Sequence, residues 1–284
     1  MKKFLLAGLS FIFFQGTFYF PIKLPTASKH FKWAICLDVE YIEVETENKL
    51  INLAKSGHPK LEVGEVWVIK DPKRSKKLSQ LANLKAKDKI YLLSKDGTKS
   101  ISLIKGFAYY KPAPATIFTL ALLEPLRGKK LKSKNWVLAW KDENFFKEDE
   151  FKMLVLEPEN SQLCSELLKE CSDGLKGEII SDKNCYLLKN ENKLWLFVSF
   201  WHHPSNPEDI EDWQTSACFS PLTLEKDLKP THLPAGISLE SVFLANDKIY
   251  LIGSAGNGAE VCRYLLSWTK NEFKVIKKGA CLGY

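Results

Sequence analysis

The sequence predicts a mainly β protein, and three observations carry that expectation. A polar turn followed by an apolar strand recurs nearly letter for letter, as Asp88-Lys89-Ile90-Tyr91-Leu92-Leu93 and Asp247-Lys248-Ile249-Tyr250-Leu251-Ile252. A looser copy, Asn192-Lys193-Leu194-Trp195-Leu196-Phe197, lies between them. The chain is also rich in aromatic residues, with 17 Phe, 9 Tyr and 8 Trp among 284 residues, side chains that suit a pleated, half-buried surface. Finally, Asp96-Gly97 separates two apolar runs, the preferred signal of a tight hairpin. The architecture expected is a β-barrel or meander-like N-terminal part, one short helix, and then repeated antiparallel strand sections.

At the N-terminus, Lys2-Lys3 precedes an almost unbroken apolar run from Phe4 to Phe20, followed by Pro21, Lys23 and Pro25. A basic start and an apolar core are the parts of a secretory signal peptide. The best cut lies after Ser28, with Thr26 at the −3 position, so residues 1–28 read as a leader. The same run, about 17–20 residues, is long enough to serve instead as a retained membrane anchor. Either way the rest of the chain is expected to be exported. A leader ending at Ser28 carries off Lys2, Lys3 and Lys23 and no acid, so the net charge of +7 shrinks to an excess too small to argue for nucleic acid.

Residues 29–158 read as a β-rich domain. Trp33–Leu37, with Val39 and Tyr41 beyond it, predicts a strand. Asn48–Ser56 fits a short helical turn. Glu65–Ile69 predicts another strand, and the basic stretch after it carries Leu78, Leu81 and Leu84 at helical spacing on a surface helix. Lys89–Ser94 and Thr98–Ile104 flank Asp96-Gly97 as a hairpin. Thr116–Leu123, Asn135–Trp140 and Phe151–Leu156 follow as strands, and this density of short strands suggests an SH3-like barrel or a meander. The basic run Arg127–Lys134 and the acidic run Asp142–Glu150 read as solvated loops.

Residues 159–284 open on a helix. In Ser161–Cys171 the apolar positions 163/164, 167/168 and 171 share one face, with Ser161 placed to cap it and Gly174 to stop it. Cys164 and Cys171 lie two turns apart on that face, too far to bond each other but free to reach other elements. Two similar sections follow, Tyr186–Leu233 and Val242–Ile276, each read as four antiparallel strands. Such repetition is the mark of a propeller blade, and ordinary meanders produce it as well.

Seven cysteines lie beyond the leader, at 36, 164, 171, 185, 218, 262 and 281. Export permits disulfides, and six of the seven fall in the second half. Cys218 and Cys262 occupy comparable third-strand positions, which could make them neighbours. A nucleophilic Cys–His pair could form with His202 or His232, although a disulfide is the ordinary use of an exported cysteine.

The candidate site is the stretch Trp201-His202-His203-Pro204, read as opening a loop that Glu208, Asp209, Glu211, Asp212 and Trp213 close. Imidazoles beside carboxylates can bind a metal or do acid–base work, but adjacent histidines on an extended chain point to opposite sides. Trp201, His202, His203, Asp209 and Trp213 are therefore expected to contact a ligand. Gly253–Gly258 reads as a hairpin loop, because a phosphate loop must open a helix and Val261–Trp268 alternates like a strand. The expected function is that of an exported, non-catalytic envelope or extracellular binding protein for a protein or glycan. The alternatives are a periplasmic hydrolase with its site in the His202–Asp212 loop, and a structural component of an envelope assembly. No cofactor, no catalytic set and no nucleic-acid partner is expected, and membrane contact only through an uncleaved N-terminal segment.

Overall fold

The structure is a computed structural model that describes residues 18–25, 31–41, 61–114, 116–126, 135–141, 151–191, 193–205, 214–222, 228–234, 236–245, 248–256, 260–269 and 272–283. Asn48–Ser56, Arg127–Lys134 and Asp142–Glu150 fall outside them.

The N-terminal part is a closed barrel. Its strands are β1 (Phe18–Lys23), β2 (Trp33–Tyr41), β3 (Val66–Val68), β4 (Lys89–Ser94), β5 (Lys99–Ala113), β6 (Thr116–Pro125) and β7 (Trp136–Trp140). They pair in the order β3-β5-β4-β7-β1-β2-β6, and an additional β5–β6 ladder closes the ring. Ile35, Ile90, Leu92, Ile104, Phe107, Ile117 and Ala121 fill the interior. The surface helix is α1 (Pro72–Ala82), capped by the Asp71 carboxylate, which accepts from the Lys73 N–H, with Leu78 buried beneath it.

The Asp96-Gly97 hairpin forms with a different turn from the one its dipeptide suggests. Only Gly97 has positive φ, at +79°, whereas a two-residue type I′ turn needs it at both central positions. Gly97 N–H donates to Ser94 O and Ser94 N–H to Thr98 O, so the loop has three residues, a turn closed by a glycine bulge. Asp96 accepts from the Ser94 hydroxyl and the Thr98 N–H, which pulls its carboxyl down to about 2.

The remaining strands make two five-stranded antiparallel sheets. One has the order β13-β12-β11-β10-β9, from β9 (Leu156–Pro158), β10 (Glu178–Asn190), β11 (Lys193–Pro204), β12 (Gln214–Leu222) and β13 (Thr231–His232). The other has the order β17-β16-β15-β14-β8, from β8 (Phe151–Leu154), β14 (Ser238–Ala245), β15 (Lys248–Gly256), β16 (Glu260–Thr269) and β17 (Glu272–Gly283). Each repeated section is thus a four-strand meander, and the 151–158 stretch adds one strand to each. The helix α2 (Gln162–Cys171) forms as its periodicity predicts, but Ser161 makes no side-chain cap bond. The Glu159 carboxylate accepts from the Asn160 and Ser161 amides at this end.

These parts stack in layers. The buried face of α2 packs on Leu196, Val198 and Phe200 of β11. Trp195 and Phe197, on the opposite face, pack against Val242, Ile249 and Leu251 of the second sheet. Phe243, Tyr250 and Ile252 turn the other way and pack on Phe18, Leu93 and Trp140 of the barrel. This explains the recurring sequence unit. Its three copies are β4, β11 and β15, one in each sheet, and each is apolar on consecutive residues because both of its faces are buried.

Two disulfides pin α2 to its sheet: Cys164–Cys185 and Cys171–Cys218. Cys262 is also disulfide-bonded, and Cys281 stands opposite it in the β16–β17 ladder. Cys218 and Cys262 are therefore not partners. Cys36 is a buried thiol. Among the described residues no helix is long and apolar enough to cross a membrane, and disulfides of this number fit an exported protein.

Candidate functional site

The side-chain period of two sets up the site. In the β10–β11–β12 ladder, Ile180 pairs with His202, Glu178 with Pro204, and Phe200 with Ser216. Glu178, His202 and Ser216 therefore share one face, the one that carries α2, with Glu178 and Ser216 as diagonal neighbours of His202 on either side. Leu196, Val198 and Phe200 continue that face along β11 under the helix.

The three side chains form a relay. His202 Nδ1 meets the Glu178 Oε2 atom, and His202 Nε2 lies 2.9 Å from Ser216 Oγ. His202 is 5% exposed, while Glu178 and Ser216 are half-buried. The Phe200 ring flanks the imidazole, with centroids 5.9 Å apart. With the proton on Nδ1 donated to the carboxylate, Nε2 is left to accept from the serine hydroxyl. That is the geometry in which a histidine acts as general base toward a serine.

The local backbone is held tightly beside the serine. A Cβ built on Gly236 would lie 1.8 Å from Thr215 O and 2.5 Å from Ser216 Cα, so the segment before β14 rests directly on the β12 backbone. Thr215, on the other face, donates to Gly256 O at 3.1 Å and ties this strand to the second sheet.

Of the residues singled out in the sequence, His202 alone enters this arrangement. Trp201 and His203 are not loop residues, because β11 runs on through Pro204. Trp201 is half-buried. His203 is buried, on the face away from His202, with its Nδ1 2.6 Å from Pro204 O. Asp209 and Trp213 lie outside the described residues. The glycine-rich stretch opens no helix. Gly253–Gly256 is part of β15, and the strand β16 follows.

A second cluster surrounds Cys218, whose Sγ lies 3.4 Å from His232 Nδ1. The ligand atoms of Cys171, Cys218 and His232 all fall within 4.8 Å of one another. Both sulfurs are joined in a disulfide, so the cluster is not a nucleophilic thiol–imidazole pair. At the other end of α2 an open cavity of about 170 Å³ is lined by Ser161, Cys164, Lys183, Asn184, Cys185 and Val198, among others.

Compared with protein-family models, curated proteins and solved structures, the chain matches none. The fold and the site together define an all-β protein of a closed barrel and two stacked sheets, with a Glu–His–Ser array on the outer sheet.

Proposed function

We propose that the protein is an exported hydrolase of carboxylic esters, with Ser216 as nucleophile, His202 as general base and Glu178 as the residue that orients the imidazole. The observation that carries this reading is the unbroken Glu178–His202–Ser216 hydrogen-bonded row. Ser216 Oγ attacks the ester carbonyl carbon while His202 Nε2 takes its proton. The protonated imidazole then delivers that proton to the departing alcohol. Water, deprotonated by the same nitrogen, hydrolyses the acyl-serine and restores the hydroxyl. Glu178 stays ionised, accepts the hydrogen bond from Nδ1–H throughout and faces the imidazolium as it forms, in a setting where burial of His202 strengthens the attraction.

A fluorophosphonate probe tests the proposal, because it phosphonylates serines activated in this way far faster than ordinary hydroxyls. Peptide mapping is expected to place one adduct on Ser216, absent in Ser216→Ala and slowed at least about 100-fold in His202→Ala. If the folded chain takes no adduct at Ser216, the hydrolase reading fails. The non-catalytic binding protein, with a protein or glycan as ligand, is then the better account.

A further inference from the structure

The two disulfides at the ends of α2 sit in opposite chemical settings. Cys164 is in the first turn of the helix and Cys171 is its last residue. The helix dipole favours negative charge at the first and disfavours it at the second. Ser161 adds no side-chain bond to the first-turn amides. Access differs in the same sense. Cys185 is half-buried and lines the open cavity with Cys164, whereas Cys171 and Cys218 are 3% and 0% exposed. The charged side chains lining the cavity are Lys183 and Glu159, and the Glu159 carboxylate is engaged by two backbone amides. His232 beside Cys218 would favour a thiolate there, but no attacking thiol can reach that fully buried sulfur.

We propose that Cys164–Cys185 is a site of thiol–disulfide exchange with a dithiol, small or carried by a protein, and that Cys171–Cys218 is structural. One thiolate of the dithiol attacks Cys185 Sγ, the more exposed sulfur. A mixed disulfide forms, the Cys164–Cys185 bond breaks, and its electron pair leaves on Cys164 Sγ as a thiolate at the helix N-terminus. The second thiolate of the dithiol then attacks its own sulfur in the mixed disulfide and releases Cys185. Two protons pass through solvent from the dithiol to Cys164 and Cys185. The protein disulfide is reduced by two electrons and the dithiol becomes a disulfide. Attack on the exposed sulfur and departure of the sulfur with the stabilised thiolate are the two features that speed exchange, and both select the same direction.

The test uses the native, oxidised full-length chain. After brief exposure to limiting dithiothreitol, acid quenching, alkylation and peptide mapping, Cys164 and Cys185 are expected to be alkylated roughly tenfold or more faster than Cys171 and Cys218. Reduced glutathione in place of dithiothreitol is expected to leave its adduct on Cys185. Equal rates for the two pairs, or earlier opening of Cys171–Cys218, overturn the proposal. A glutathione adduct confined to Cys164 overturns the direction of attack. Neither readout depends on Ser216.

Discussion

His202 Nε2 stands 2.9 Å from Ser216 Oγ although the two residues sit on different strands and are not opposite each other in the ladder. The contact is a diagonal one, created by the register that sets Phe200 against Ser216. Glu178 completes it from the other neighbouring strand. Glu178→Gln keeps the shape but lets the amide stabilise the wrong tautomer. It is expected to slow fluorophosphonate labelling of Ser216 by roughly 10²- to 10⁴-fold, with an unchanged circular-dichroism spectrum. Trp201→Phe, a volume-reducing change on the face of β11 away from His202, is expected to leave the rate within about twofold. Equal losses in the two variants would point to general destabilisation and not to a relay.

Gly236 sets the backbone on which Ser216 is presented. The atoms a new Cβ would meet are all backbone, Thr215 O, Thr215 C and Ser216 Cα, so no side chain can swing away to make room. Gly236→Ala is expected to destabilise the fold by about 1–3 kcal/mol or more. The displacement of β12 should also uncouple Ser216 from His202. Urea midpoints and probe labelling measure the two effects. A variant with wild-type midpoint and labelling rate would show that this close approach is absent in solution.

Much of this fold could be read from residues in sequence. Ile249 to Ile252 and Trp195 to Val198 are apolar on consecutive positions, which marks strands buried on both faces, and both are central strands. The face of α2 was legible because Cys164, Leu167 and Cys171 recur at helical spacing. The Glu178–His202–Ser216 row was not. Glu178 and Ser216 come from strands whose register is set by packing and by irregularities such as the shift between Ser181 and Asn184. One residue of slip would turn either side chain to the opposite face. His202 stands out in sequence by its histidine neighbour and nearby acids, yet its partners lie on other strands. The turn at Asp96-Gly97 shows the same limit at short range. The dipeptide gives the position of the hairpin, and the loop length follows from the strands it joins.

Asp88 supplies a pH-dependent tie. Burial pushes its carboxyl upward, but the hydrogen bond and charge of Lys141, with the Lys85 amide, outweigh burial and hold it below its ordinary value. Lys141 Nζ lies 2.7 Å from Asp88 Oδ2 and 2.9 Å from Asn83 O, so it joins the end of β7 to the C-cap of α1. A carboxyl lowered in the folded state stabilises above its unfolded value, about 3.9, and that stabilisation is lost as the pH falls through the folded value. Asp88→Asn is accordingly expected to lower the Tm at pH 7, by an amount corresponding to about 1 kcal/mol or less for a partly exposed pair. The gap between variant and wild type should close once the pH falls below the lowered folded value. A gap that persists there would assign the loss to packing and not to charge.

The position of β1 constrains where a leader can end. Phe18–Lys23 lies inside the stretch read as a leader, yet it pairs on one side with β2 and on the other with β7. Phe18 and Phe20 are 1% and 2% exposed. The Arg263 guanidinium sits 5.8 Å from the Phe20 ring centroid, and a Cβ on Gly279 would strike the same ring at 2.1 Å. A cut after Ser28 would take this strand from the middle of the barrel, open the ring between β7 and β2, and forfeit about 1.5–3 kcal/mol for each buried phenylalanine. Any leader processing is therefore expected upstream of Phe18. Intact-mass measurement and N-terminal sequencing of the protein recovered from its native compartment check this. A folded, protease-resistant protein beginning at Lys29 would show that the barrel closes without β1.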